Sequence, residues 1–131
     1  MSYDLMVFEP NARLRDRNSY MKWFEQEMRR AESYDPGVLT PKLRAWFHEM
    51  IDSFPPMNGP LASDDVDDPN LTEYGLGRMV IYASFAWSRA EAAFERVTKL
   101  ATKHRVGFYD VSSGAGDIWV PTPDGNFEIV G

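Results

Sequence analysis

The stretch Arg78–Val111 constrains this chain more than any other. RMVIYASFAW is β-branched and aromatic enough to be a central strand, and Ser88-Arg89-Ala90-Glu91 follows at once. That is an S-x-x-E capping box, in which each side chain satisfies the other's orphan backbone N–H. The helix it opens runs to about His104, with Ala90, Ala93, Phe94, Val97, Leu100 and Ala101 inward. Val106–Val111 reads as a second strand. Connections this short predict two parallel strands with a right-handed crossover.

The remaining elements arrange themselves around that unit. Tyr3–Glu9 is apolar on both parities, as a strand inside a covered sheet should be. Pro10 stops it. A helix from about Asn18 to Ser33 carries Tyr20, Phe24, Met28 and Ala31 as its stripe, widened by Trp23. Arg17, Lys22, Arg29 and Arg30 hold its wet side. Thr40 is a good N-cap and Pro41 a good first residue for the next helix. Its apolar face is Leu43, Trp46, Phe47, Met50, Ile51 and Phe54, and Pro55-Pro56 closes it. Met57–Thr72 reads as a loop. A Ser-Gly-Ala-Gly turn at 113–116 leads to short strands at Asp117–Pro121 and Phe127–Val130, joined through Pro123-Asp124-Gly125. We expect one α+β domain over residues 1–131, an α/β two-layer sandwich of order β-α-α-β-α-β-β(-β). Its sheet should be mixed, with the helices packed mainly on one face.

Composition narrows the function. At 131 residues the chain is long enough for one sizeable core. The 14 Lys and Arg against 20 Asp and Glu give a net charge of −6. Nucleic-acid binders draw most of their affinity from phosphate neutralisation, so nucleic acid is not an expected partner. Without cysteine there are no disulfides, thiolate metal sites or cysteine nucleophile. No apolar run suits a signal peptide or a membrane span, which points to the cytoplasm and to no membrane partner.

No Walker loop, GxGxxG, HExxH or GxSxG is present. Gly114-Ala115-Gly116 precedes a strand, so no helix N-terminus receives a phosphate there. His48 and Asp52 stand four apart on a helix face, which suits a surface hydrogen bond better than a metal. His104, beside Lys103 and Arg105, suits the negative end of its helix dipole. Ser112 and Ser113 have no histidine base after them. We expect no metal, no cofactor and no catalysis. Trp46 and Trp87 read as core, while Trp23 and Trp119 have weaker apolar surroundings.

The distinctive charged feature is Ser63–Asn70, with Asp64, Asp65, Asp67 and Asp68. It lacks the internal glycine and ligand spacing of a calcium loop, and Glu73 does not supply the missing bidentate ligand. Either it is a solvated turn or it meets a basic patch on another protein.

Ser2–Phe8, Phe54–Pro60, Phe85–Ser88 and Val106–Val111 together resemble a family of small, uncharacterised bacterial cytosolic proteins. In general type the chain also resembles polymorphic-toxin immunity proteins, being short, acidic, cysteine-free and single-domain. That resemblance implies a protein-binding module that neutralises a cognate toxin by covering it. From the residues, its contact surface would be Asp64, Asp65, Asp67, Asp68 and Glu73, with Tyr74 as an aromatic anchor. One alternative is a small enzyme or small-ligand binder with a pocket at the strand ends near Asp110, Ser112 and His48. Another is a homodimeric structural protein paired through a sheet edge; the chain would otherwise be a monomer.

Overall fold

The computed structural model describes residues 2–11, 13–29 and 33–131. Its elements are β1 (Ser2–Phe8), α1 (Arg17–Met28), α2 (Pro41–Ser53), β2 (Glu73–Leu76), β3 (Val80–Ala86), α3 (Ala90–His104), β4 (Gly107–Tyr109), β5 (Ile118–Pro121) and β6 (Phe127–Ile129). The strands form one sheet in the order β2-β3-β1-β4-β5-β6. This is the expected α+β sandwich.

β1 is the strand on which the two faces are divided. Its odd residues Tyr3, Leu5 and Val7 join Leu43, Trp46, Phe47 and Met50 of α2 and Ala93, Val97 and Leu100 of α3 in the larger core. Its even residues Met6 and Phe8 join Tyr20 and Phe24 of α1 in a second core on the opposite face. A strand apolar on both parities can serve two cores because successive side chains point to opposite sides. The helices therefore lie mainly on one face, α2 beside α3, while α1 covers part of the other.

Two expectations about the sheet are corrected. β3 and β4 do run the same way, but both pair antiparallel with β1, which lies between them. Every neighbouring pair is antiparallel, so the sheet is not mixed. The α3 crossover spans the width of a strand, and β1 fills that gap with a two-sided apolar surface. The interior position expected for β3 holds, with β1 as the axis. Glu73–Leu76, unassigned in the sequence reading, is β2 and forms a hairpin with β3 closed by the Gly77 N–H donating to the Val80 carbonyl at 2.9 Å.

The helix starts differ as well. Trp87–Arg89 is a turn of 3-10 helix, and no side chain caps α3, so the capping box does not form. That turn rotates Trp87 outward: it is 47% exposed, not core, and its ring lies 5.3 Å from that of Tyr3. Thr40 occupies the N-cap of α2, but its hydroxyl donates to Glu9 Oε2 at 2.9 Å, tying the helix to the end of β1. Trp46 is fully buried, and its indole N–H donates to the Val97 carbonyl at 3.3 Å. Trp23 and Trp119 are half-buried. α1 ends at Met28, earlier than expected, and Ser33 forms a bridge to Leu76; Arg30 and Ala31 lie outside the described residues.

Glu49 clamps α2 to α3. Its carboxylate accepts from Lys103 Nζ at 2.5 Å and pairs with His104 Nε2, and these contacts, Lys103 first, hold it below the usual carboxylate range. His104 thus faces a carboxylate on the neighbouring helix, beyond any role at the end of its own.

Gly107 faces Phe8 across β1 and β4, and a Cβ there would fall inside 3.0 Å of three atoms of the Phe8 ring. Overpacking of this kind costs about 1–3 kcal/mol. Gly107→Ala should lower stability by that amount in urea denaturation, and Phe8→Leu in the same chain should recover part of the loss. Additive losses in the double-mutant cycle would show that the ring and the glycine are not coupled.

Candidate functional site

The acidic segment is ordered by its own backbone. The Thr72 N–H donates to the Pro55 carbonyl at 2.9 Å and the Met57 N–H to the Thr72 carbonyl at 3.0 Å, closing the base of the loop. Ser63 N–H donates to the Pro56 carbonyl at 2.9 Å. Gly59 turns the chain at a φ of +89°, where a Cβ would also strike Tyr34. Ser63 Oγ accepts from the Asp65 N–H, Asp65 Oδ1 from the Asp67 N–H, and Asp68 Oδ1 from the Asn70 N–H. These short-range bonds are why serines and aspartates favour turns. Asp65 and Asp68 each commit one oxygen inward; among the described residues, Asp64 and Asp67 accept no hydrogen bond.

Asp64, Asp65 and Asp67 are exposed and Asp68 is half-buried. Between them Val66 is 81% exposed, the most exposed large apolar side chain described, and Met57 and Leu61 of the same loop are also exposed. Glu73 is exposed on β2, so it can share this surface. Tyr74 cannot. It is 3% exposed, stacks edge-on to Phe47 and donates its hydroxyl to the Phe54 carbonyl at 2.7 Å. Strand alternation turns it into the larger core, and burial pushes its phenol well above the usual range. The expected aromatic anchor is thus a core residue, and the exposed apolar group in this region is Val66.

The strand-end pocket is assembled in part. Asp110 follows β4 and lies with Tyr3, Glu91, Phe94 and Glu95 along an open cavity of about 550 Å³. Burial, the largest influence, raises the Asp110 carboxyl; the Ser113 N–H and the Tyr3 hydroxyl oppose it by hydrogen bonding. Tyr3 is in turn pushed up to about 12, first by burial and then by Asp110. Ser112 Oγ accepts from the Asp4 N–H at 2.8 Å, and the Ser112 N–H donates to the Asp4 carbonyl at 3.3 Å. Ser112 therefore fastens the turn to β1, and among the described residues its hydroxyl bonds only to the Asp4 N–H. His48 is exposed on α2 and, among the described residues, shares neither a hydrogen bond nor a cavity with Asp110 or Ser112.

One surface escaped the sequence reading. α1 has 12 residues, which span about 18 Å, and part of the sheet face beside it stays open. A groove of about 570 Å³ runs between α1 and the sheet, walled by Met6, Met21, Met28, Phe24, Tyr82 and Tyr109. A smaller cavity of about 230 Å³ shares Met28 and Tyr82 with it. Beside the groove Asp4 accepts from Ser2 Oγ at 2.6 Å and from the Tyr82 hydroxyl at 2.5 Å. The signal was present in β1, whose even residues change from apolar Met6 and Phe8 to polar Ser2 and Asp4.

Among the described residues no group of His, Asp and Glu is arranged to hold a metal ion, and no helix is long and apolar enough to cross a membrane. Comparison with family models, curated proteins and solved structures finds no match to this chain.

The raised Asp110 carboxyl has a pH signature. Above the ordinary carboxylate pKa the unfolded state loses this proton while the folded state still holds it. Asp110 therefore lowers stability as pH rises from about 4 upward through its raised value. Asp110→Asn keeps an acceptor for Tyr3 and removes the charge. Urea midpoints should favour the variant more at pH 7 than at pH 3; an equal or reversed gap would contradict this assignment.

Proposed function

We propose that this chain is a protein-binding module whose ordered acidic loop docks on a basic surface of a partner protein. The observation that carries the reading is Val66, 81% exposed in a hydrogen-bonded loop and flanked along the chain by Asp64, Asp65, Asp67 and Asp68. An apolar centre inside a charged rim is how protein interfaces are built. A loop already held by its own hydrogen bonds gives up little entropy on binding. The charges supply steering: with a chain at −6, a basic partner meets a favourable field before contact.

The form of this function that we favour is neutralisation of a cognate bacterial toxin, an immunity protein that covers a basic cleft. It needs an acidic, preformed surface and no chemistry of its own, which is what the loop offers. Exposed Glu73 on β2 adds a further acidic group, and Met57 and Leu61 are further exposed apolar side chains of the same loop.

The test compares two tagged chains in the native host, the natural one and one carrying Asp64→Asn, Asp65→Asn, Asp67→Asn and Val66→Ser. The natural chain should retain one basic protein in stoichiometric amount that the variant loses. With the purified pair, the association rate should fall steeply with salt for the natural chain and weakly for the variant. Equal retention and equal salt dependence would remove the loop from the interface.

A further inference from the structure

Asn58 and Gly59 lie near the start of the acidic loop, between two of its backbone bonds. The Met57 N–H donates to the Thr72 carbonyl at 3.0 Å, and the Gly59 carbonyl accepts from the Ala62 N–H at 3.2 Å. The peptide unit joining Asn58 to Gly59 falls between them. Among the described residues its carbonyl accepts no hydrogen bond and its N–H donates none. The Asn58 side chain is exposed, and the side-chain bonds that order the loop are made by Ser63, Asp65, Asp68 and Asn70 instead.

The fold itself requires glycine at 59. Its φ of +89° disfavours any residue with a Cβ, and a Cβ there would lie 2.6 Å from Tyr34 Cβ. The nitrogen that follows Asn58 is therefore unshielded as well as unbonded, and asparagine is among the thermolabile side chains. The other asparagines are held. The Asn11 carbonyl accepts from the Leu14 N–H at 3.0 Å, and the Asn126 carbonyl from the Thr122 N–H at 2.8 Å. Asn18 is inside α1, and the Ser19 N–H after it donates to Asp16 Oδ1 at 2.8 Å. After Asn70 the Leu71 N–H donates to the Asp68 carbonyl at 3.1 Å, while Asn70 Nδ2 donates to the Ser53 carbonyl at 3.0 Å.

We propose that Asn58 is a self-modification site at which the folded chain converts its own amide to a carboxylate. The Gly59 nitrogen gives up its proton to solvent and attacks Asn58 Cγ. The new N–Cγ bond closes a succinimide ring, the Cγ–Nδ2 bond breaks, and ammonia leaves with a proton from water. Water then opens the ring at one carbonyl to give aspartate, or at the other to give isoaspartate. No oxidant and no partner is needed. Either product adds one negative charge to the loop that carries Asp64, Asp65 and Asp67. The reaction depends only on the Asn58–Gly59 bond, so it stands apart from the docking function.

The experiment incubates the purified full chain, folded and in guanidinium chloride, at mildly alkaline and mildly acid pH, and follows each asparagine by tryptic peptide mass spectrometry. In the folded chain the mass gain of one deamidation should appear at Asn58, faster at alkaline pH, with aspartate and isoaspartate peptides separable by chromatography. An unprotected site reacts as it does in the unfolded chain, so the folded and denatured rates at Asn58 should agree within about threefold. Asn18 and Asn70 should react more slowly folded than denatured. Asn58→Ser, an exposed change, should keep the unfolding midpoint and abolish the mass gain in the peptide spanning residues 45–78. An Asn58 that survives in the folded chain but converts in the denatured one would overturn the proposal, because the fold would then protect the bond. A mass gain that persists in Asn58→Ser would overturn it by placing the reaction at Asn70.

Discussion

The fold depends on β1 being apolar on both sides. Tyr3, Leu5 and Val7 go to α2 and α3, while Met6 and Phe8 go to α1. β1 pairs with β3 on one edge over seven residues and with β4 on the other over three. A slip of one residue in either ladder would exchange the two cores, so the register is set by two hydrophobic demands at once. Gly107 shows how tight the fit is, since the Phe8 ring occupies the space a side chain would need. The same strand gives the sheet its character: the crossover from β3 through α3 to β4 leaves room for one strand, and β1 fills it antiparallel to both.

That arrangement also decides where surface is left over. α2 and α3 close the upper face, with Trp46 hydrogen-bonded between them and Glu49 reaching Lys103 and His104. The chain between α2 and β2 then has to cross the outside of the molecule. It is held at its base by the Pro55–Thr72 bonds and along its length by serine and aspartate side chains. The result is an ordered projection that carries acid groups and Val66 away from the core. On the lower face α1 is too short to cover the sheet, and a methionine- and tyrosine-lined groove remains.

Much of this was legible in the sequence because it is periodic. β1, α2, α3 and β3 were readable from apolar spacing together with residue type and start signals, and α3 ends at His104 as the pattern indicates. The errors came where a local rule met a tertiary demand. The S-x-x-E box was overridden by a 3-10 turn that places Trp87 over Tyr3. The short strand at Glu73–Leu76 carries two buried residues, Tyr74 and Leu76, which is too brief a signal beside an acidic loop. With that strand unassigned, nothing in the sequence turned Tyr74 inward. The position of β1 between β3 and β4 had no local signal, since strand order is a property of packing. Of the candidate contact residues, the exposure of Asp64, Asp65, Asp67 and Glu73 was legible from their charge, while Asp68 is half-buried. Val66 was not singled out because an isolated valine in a polar run has no period to announce its exposure.

Under the proposed function, the chain presents the ordered acidic loop to a partner protein. Hydrogen exchange on the partner complex, compared with the free chain, tests this most directly. Protection gained across residues 57–70, with the groove beneath α1 and the Tyr3–Asp110 end exchanging as in the free protein, is the predicted result. Protection confined to that groove or that end, with the loop unchanged, would contradict it.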